Sequence, residues 1–297
     1  MSIIIGAMLP VFTVFFIGFI LQKAKGLDVK PLSTVTVYVL IPCLVFRSLL
    51  ETKIEQQYIM MVFIVLLLMI ITITIDKLVV KFRKLDADTE SAFILSTVFM
   101  NAGNYGTPIV LFVFGEEAFH IAISFYVIQL ILFNTVGIYY ATRSKESLLQ
   151  GFKNIFKLPA IYAVLFAFLF RNFPILPENI YSIVDLLANG AIPIIMLLLG
   201  MQLANLKMEV LNWKQISYVT SMRLIVSPLV ALVITMLLPV EPIYRNVIIT
   251  LAAMPTAVNV TLYSLEFNIQ PKFVSVATIF NTFISIITVT ILLNILS

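Results

Sequence analysis

Side chains able to hold a small anion cluster within one otherwise apolar run. Asn101-Ala102-Gly103-Asn104-Tyr105-Gly106-Thr107-Pro108 sits inside the stretch 92–114, which would otherwise read as one continuous apolar helix. Asn side chains supply both amide donors and carbonyl acceptors. Asn101 and Asn104 therefore either bind a carboxylate or satisfy backbone groups released by a break in the helix. The break itself is written in residue type. Gly costs roughly 1 kcal/mol against Ala in a helix interior, and Pro about 3. Inside a bilayer, lost backbone hydrogen bonds are tolerated only where protein or a water-lined cavity replaces them. A simple proline kink is the alternative, and the clustering of Gly103, Gly106 and Pro108 argues against it.

A second stretch, Ala252-Ala253-Met254-Pro255-Thr256-Ala257-Val258-Asn259, carries Pro, Thr and Asn but no Gly, so a milder break is expected there. Each break ends one half-helix and starts another. Thr107-Pro108 fits an N-cap followed by a first helical proline. A helix N-terminus carries about half a positive charge and free N–H groups, which suits a carboxylate without a fixed cation. Asn101, Asn104, Tyr105, Thr107, Thr256 and Asn259 are the candidate contacts at the two breaks. Tyr105 either faces the substrate or packs between helices. Asn134 and Asn281 either line the site from neighbouring helices or bond across them at about 0.6 kcal/mol each.

Ionisable residues inside apolar spans are functional candidates by default. Arg223 is the deepest cation, and either attracts the second carboxyl of a dicarboxylate or pairs with Asp185 or Asp76. Asp76 is a possible proton or cation site, or simply snorkels to the cytoplasmic interface; Asp185 is the other coupling candidate. Arg47 reaches the outer interface. Glu116, Glu117 and His120 are expected in solvent. Cys43 is the only cysteine and His120 the only histidine, so no disulfide, metal motif or cofactor is expected. There is no paired-Asp, Ser–His or His-rich motif to support an enzyme.

The elements that must position these residues are membrane helices. The 297 residues are 61% hydrophobic and only 11% charged, with a mean hydropathy of +1.08. Soluble domains carry about 25% charged residues. The lipid bilayer is thus the main partner, and nothing points to nucleic acid. Ten spans near the ~20 residues a bilayer core requires are expected. They cover 3–22, 31–50, 57–80, 91–114, 117–141, 158–173, 178–203, 213–238, 242–266 and 271–295, the sixth being the weakest. The first lacks a basic leader and a cleavage site and is expected to stay as a helix. Lys and Arg fall fourteen to three on the odd-numbered connections, which places those in the cytoplasm and both termini outside. Lys53, Arg171 and Arg245 are the three on the other side.

The polar connection 142–157 divides the chain into 1–141 and 158–297, each with five spans. An odd number makes the second half enter from the opposite side, the arithmetic of an inverted repeat. Pro42 with Pro193, Pro108 with Pro255 and Asn134 with Asn281 are matching landmarks, and the last two pairs share one sequence offset.

The Asn-x-Gly-Asn-Tyr-Gly-x-Pro stretch 101–108 resembles the signature of the auxin efflux carrier family, which includes bacterial malate permeases and malonate carriers. The likeness covers the whole chain, with Pro42, Pro193 and the segment 254–259. It implies a scaffold domain of spans 1, 2, 6 and 7 and a transport domain of spans 3–5 and 8–10. The transport domain would carry crossed broken helices and move as an elevator. It also implies crossover roles for Asn104 and Asn259, and a homodimer through spans two and seven. The short central connection favours the bacterial carboxylate branch. The expectation is an all-α protein carrying small mono- or dicarboxylates such as malate or malonate. Sodium- or proton-coupled symport and export of an indole carboxylate are the alternatives.

Overall fold

A computed structural model describes residues 2–51, 56–142, 153, 155–172, 177–206 and 212–296, and their regular secondary structure is helical apart from one isolated bridge. Most of the connection 142–157 lies outside these residues, as do Lys53, Arg143, Lys145, Pro174 and Lys207. The chain opens with α1 (Ser2–Lys25). Next, α2 (Val29–Val35) runs through a π-helical turn at Thr36–Leu40 into α3 (Ile41–Glu51). Asp28 caps α2 by accepting the Lys30 N–H at 3.0 Å. Then follow α4 (Gln56–Arg83) and α5 (Ala87–Val98). The Asp86 side chain caps α5 through the Thr89 N–H at 2.7 Å, and this bond holds its carboxyl below the usual carboxylate range.

After the first break come α6 (Thr107–Leu132) and α7 (Ile138–Thr142), joined by a π-helical turn at Phe133–Gly137. The later elements are α8 (Pro159–Asn172), α9 (Glu178–Asn205) and α10 (Trp213–Ser221). A π-helical turn at Met222–Val226 carries α10 into α11 (Ser227–Leu237). Then α12 (Pro242–Ala252), α13 (Val258–Glu266) and α14 (Pro271–Leu296) complete the chain.

Seven helical stretches among the described residues are long and apolar enough to cross a bilayer, against the ten expected. The ten-span, inverted-repeat elevator arrangement is therefore corrected to an all-α membrane protein with seven apolar spans of sufficient length. The cause is local. The expected span 242–266 is cut into α12 and α13, both too short to cross a bilayer alone. The expected span 91–114 is cut between α5 and the helical stretch Ala102–Thr142, which takes in the following span as well. Gly115 departs from helical geometry within that stretch (φ 84°, ψ −174°). The weak span 158–173 appears as the 14-residue α8.

Between α1 and α9 the backbones themselves touch. A Cβ at Gly200 would lie 2.0 Å from the Phe15 carbonyl oxygen, and one at Gly18 would lie 2.2 Å from that of Leu197. Lipid tails are as apolar as Leu, so close backbone approach at small residues supplies helix association where the hydrophobic effect does not. Arg47, expected at the interface, is buried instead. Its guanidinium bonds Asp185 at 2.8 Å and Asn189 at 2.6 Å, tying α3 to α9. His120, expected in solvent, is half-buried and meets Glu51 at 2.9 Å.

Candidate functional site

The two breaks meet. Phe99–Asn101 and Ala253–Ala257 are the non-helical segments, and they run antiparallel through a bridge between Met100 and Thr256. The Asn101 N–H donates to the Pro255 carbonyl at 2.8 Å, and the Ala257 N–H to that of Phe99 at 3.0 Å. Each break thus satisfies backbone groups that the other releases, as burial at membrane depth requires.

The first break lies N-terminal to the glycines. A π-helical turn at Ala102–Gly106 runs straight into α6, so Gly103, Gly106 and Pro108 are helical. Pro108 has no N–H to give the Asn104 carbonyl. The wider register absorbs this, and the Thr107 N–H reaches the Ala102 carbonyl. Thr107 is therefore no N-cap; its hydroxyl donates to the Gly103 carbonyl at 2.6 Å. The glycines serve close approach. A Cβ on Gly103 would stand 2.5 Å from the Tyr126 ring, and one on Gly106 2.5 Å from Leu251. The second break is not the milder one. Pro255 holds the residue before it out of helical geometry. In addition, the Thr256 hydroxyl donates to the Ser96 carbonyl at 2.7 Å, anchoring the extended segment to α5.

A cavity of about 50 Å³ opens beside the crossing, lined by Asn101, Asn104 and Asn259 together with Phe99, Tyr126 and Gln129. A single water needs about 10–15 Å³, so the space suits a few waters or a carboxylate head. Two helix starts flank it: the turn at Gly103 and Asn104, and the first turn of α13 at Val258 and Asn259. The first N–H groups of a helix have no intrahelical partner and carry its positive dipole end. Asn101 is 4% exposed, and its Nδ2 is buried with no hydrogen-bond partner.

A second chamber of about 180 Å³ adjoins the first and shares Tyr126, Leu130, Phe133 and Asn259 with it. Its walls are mainly apolar and include Ile41 of α3 and Pro159 of α8. The Phe133 ring stacks on Tyr263 with centroids 4.5 Å apart. The Tyr263 hydroxyl donates to Asn134 Oδ1 at 3.1 Å, and both residues line this chamber. Tyr126, Gln129, Phe133 and Tyr263 escaped the sequence reading. Only Gln129, an amide in an apolar helix, carried a signal that could have found it.

Other candidates stand away from the cavity. Tyr105 is fully buried, stacks on Phe15 at 5.4 Å between centroids, and is hydrogen-bonded to Ser285 at 2.8 Å. Asn281 accepts from the Thr220 hydroxyl at 2.6 Å and donates to Thr256 at 2.8 Å. Asp185 is held by Arg47.

Arg223 is 1% exposed and lies among carbonyls. Its Nη1 donates to the Thr97 carbonyl, with that of Val98 at 3.5 Å. Its Nη2 donates to the Ala252 carbonyl and to the Ser227 hydroxyl at 2.6 Å. Asp76 is fully buried nearby, accepting from the Thr97 hydroxyl and from the Tyr218 hydroxyl at 2.6 Å. The breaks thus turn helix starts toward the cavity and helix ends toward a cation.

Comparison with known proteins places the whole chain among transporters. An uncharacterized transporter of Methanothermobacter thermautotrophicus is 26% identical over 285 residues, covering 94% of each chain. Another from Methanocaldococcus jannaschii is 26% identical over 283 residues, covering 89% of this chain and 90% of its own. A family model described as membrane transport protein matches residues 3–293. With nearly its whole length matched, this chain belongs to the membrane transport protein family, the auxin efflux carriers, whose members move solutes rather than catalyse reactions.

Proposed function

We propose that the protein is a secondary transporter of small organic anions that holds a carboxylate between the two helix breaks. One observation carries this reading. Asn101 lines a cavity flanked by two helix N-termini, and its Nδ2 is a buried donor without a hydrogen-bond partner. Buried polar groups are nearly always paired, so an unpaired donor at a cavity needs an acceptor from outside the fold. A carboxylate supplies it and also answers both dipole ends. Asn104, Gln129 and Asn259 add further amides to the cavity lining.

The second chamber sets the rest of the substrate. Its apolar wall, with Phe133 and Tyr263, favours one carboxylate on an apolar or aromatic body. Arg223 is engaged with backbone carbonyls and is not among the residues lining either chamber, which weakens the case for malate or malonate. Binding between the breaks, followed by opening of the cavity to each side of the cell membrane in turn, would carry the anion across.

Purified protein titrated with malate, malonate, succinate, lactate and indole-3-acetate tests this. Saturable stabilisation by an apolar monocarboxylate, and by no neutral analogue, is expected. Equal responses to acid and amide forms would remove the carboxylate from the reading.

A second reading, proton-coupled symport, is favoured by Asp76. A carboxyl fully buried beside the crossing, with a hydroxyl donor on each oxygen, can hold or release a proton as the site changes exposure. Proton-driven accumulation in vesicles without sodium would support it.

A further inference from the structure

Helix C-termini gather as deliberately in this fold as helix N-termini, and they face away from the substrate cavity. The last residues of α5 are Thr97 and Val98, and the last of α12 is Ala252. Their carbonyls converge on one guanidinium, that of Arg223, with Ser227 Oγ closing the shell. Ser227 in turn donates to the Ala252 carbonyl at 3.0 Å.

In transporters built on broken helices, half-helix C-termini and unwound carbonyls are the ligands that coordinate a coupling sodium or proton. Each C-terminus carries about half a negative charge, so two of them together match one monovalent cation. Here that charge is covalently part of the chain. Among the described residues no carboxylate forms a salt bridge with Arg223; buried Asp76, which shares Thr97 with it, acts on it through charge alone, and the guanidinium's direct partners are the helix-end carbonyls and Ser227. Its place on the π-helical turn Met222–Val226 suits such a role, since these turns recur at functional sites.

We propose that Arg223 is a built-in cation occupying the position a coupling sodium ion would otherwise fill, and that the crossing holds no sodium site of its own. The inference rests on the transport reading only for the meaning of "coupling"; its physical content is a charge placed between two helix ends. Arg223 is thus a positioning residue. It fixes the C-terminal ends of α5 and α12, and through them the N-terminal ends that face the substrate.

Thermal unfolding of the purified protein tests this without any substrate, so its outcome is separate from that of the carboxylate titration. Wild-type protein is expected to melt at one temperature in sodium and in choline chloride at equal ionic strength. R223A is expected to melt lower by about 5 °C or more. It should regain at least half of that loss with about 10 mM guanidinium or methylguanidinium, but not with urea, because a ligand that binds only the folded state stabilises it by mass action. A purely packing role would give the same loss with no cation-specific recovery. R223K, which keeps the charge but not the planar fork, is expected to fall between the two and to stay indifferent to sodium.

A sodium-specific stabilisation of wild type would overturn the proposal. So would an R223A protein whose loss no cation repairs. Should R223A give no monodisperse protein, R223K decides: sodium-dependent melting of that variant counts against the proposal, and sodium-indifferent melting supports it.

Discussion

The Asn101 N–H and the Pro255 carbonyl lie 2.8 Å apart although the two residues belong to opposite halves of the chain. The bond joins the two helix breaks, and it orients four helix ends at once. Two starts face a cavity with amide side chains, and two ends face Arg223.

Asn101→Ala and Asn259→Ala should each weaken carboxylate binding. A hydrogen bond to a charged group contributes about 1.5–3 kcal/mol, so a loss of roughly 10- to 100-fold in Kd is expected. Isothermal titration of a binding acid measures it. Unchanged affinity in both variants would take these amides out of the substrate site.

Gly103→Ala should damage the site through Tyr126. The added Cβ would sit 2.5 Å from that ring, which must move, and the ring lines both chambers. Overpacking of this kind costs about 1–3 kcal/mol. A lowered Tm together with weaker binding is the expected pair of results, and Gly103→Ala with Tyr126→Leu should recover part of the stability.

Asn281→Leu should act on stability and leave affinity alone. Its amide links the Thr220 hydroxyl to Thr256, which bonds onward to the Ser96 carbonyl. Leaving those buried partners unmatched costs about 1–3 kcal/mol. A drop in Tm with unchanged Kd in the surviving folded protein is expected. A large change in Kd with normal Tm would place Asn281 at the substrate after all.

Asp76→Asn should flatten the pH dependence of anion uptake if the carboxyl carries the coupled proton. Asp185→Asn should leave that dependence as it is in wild type, because Asp185 is committed to Arg47 at the edge of the protein. Uptake in proteoliposomes across an imposed pH gradient separates the two. Retained gradient-driven accumulation in Asp76→Asn would rule out proton coupling at this carboxyl.

Much of the class and of the position of the two helix breaks is decided by composition and by local backbone chemistry, which is why both are legible in the sequence. A chain 61% hydrophobic with 11% charged residues has nowhere to fold but a membrane. Pro255 and the cluster of Asn, Gly and Pro at 101–108 mark where a helix is weak, so both breaks are legible to within about a turn, although Pro108 itself stays helical and the first break falls at Phe99–Asn101. What depended on which helix faces meet was not written locally. Tyr105 and Asn281 turned inward to Ser285 and Thr220, while Tyr126 and Phe133, ordinary residues in an apolar run, became cavity walls. The number of spanning helices followed from where each break fell, and the π-helical turn at Ala102–Gly106 moved the first one upstream of its glycines. Arg223 shows the limit most clearly. Its depth marks it as important, but depth cannot distinguish a second carboxylate, an aspartate or a ring of carbonyls as its partner; only the tertiary fold, which brings the ends of α5 and α12 to the same guanidinium, does so, because a long flexible side chain takes whichever acceptors come within its reach.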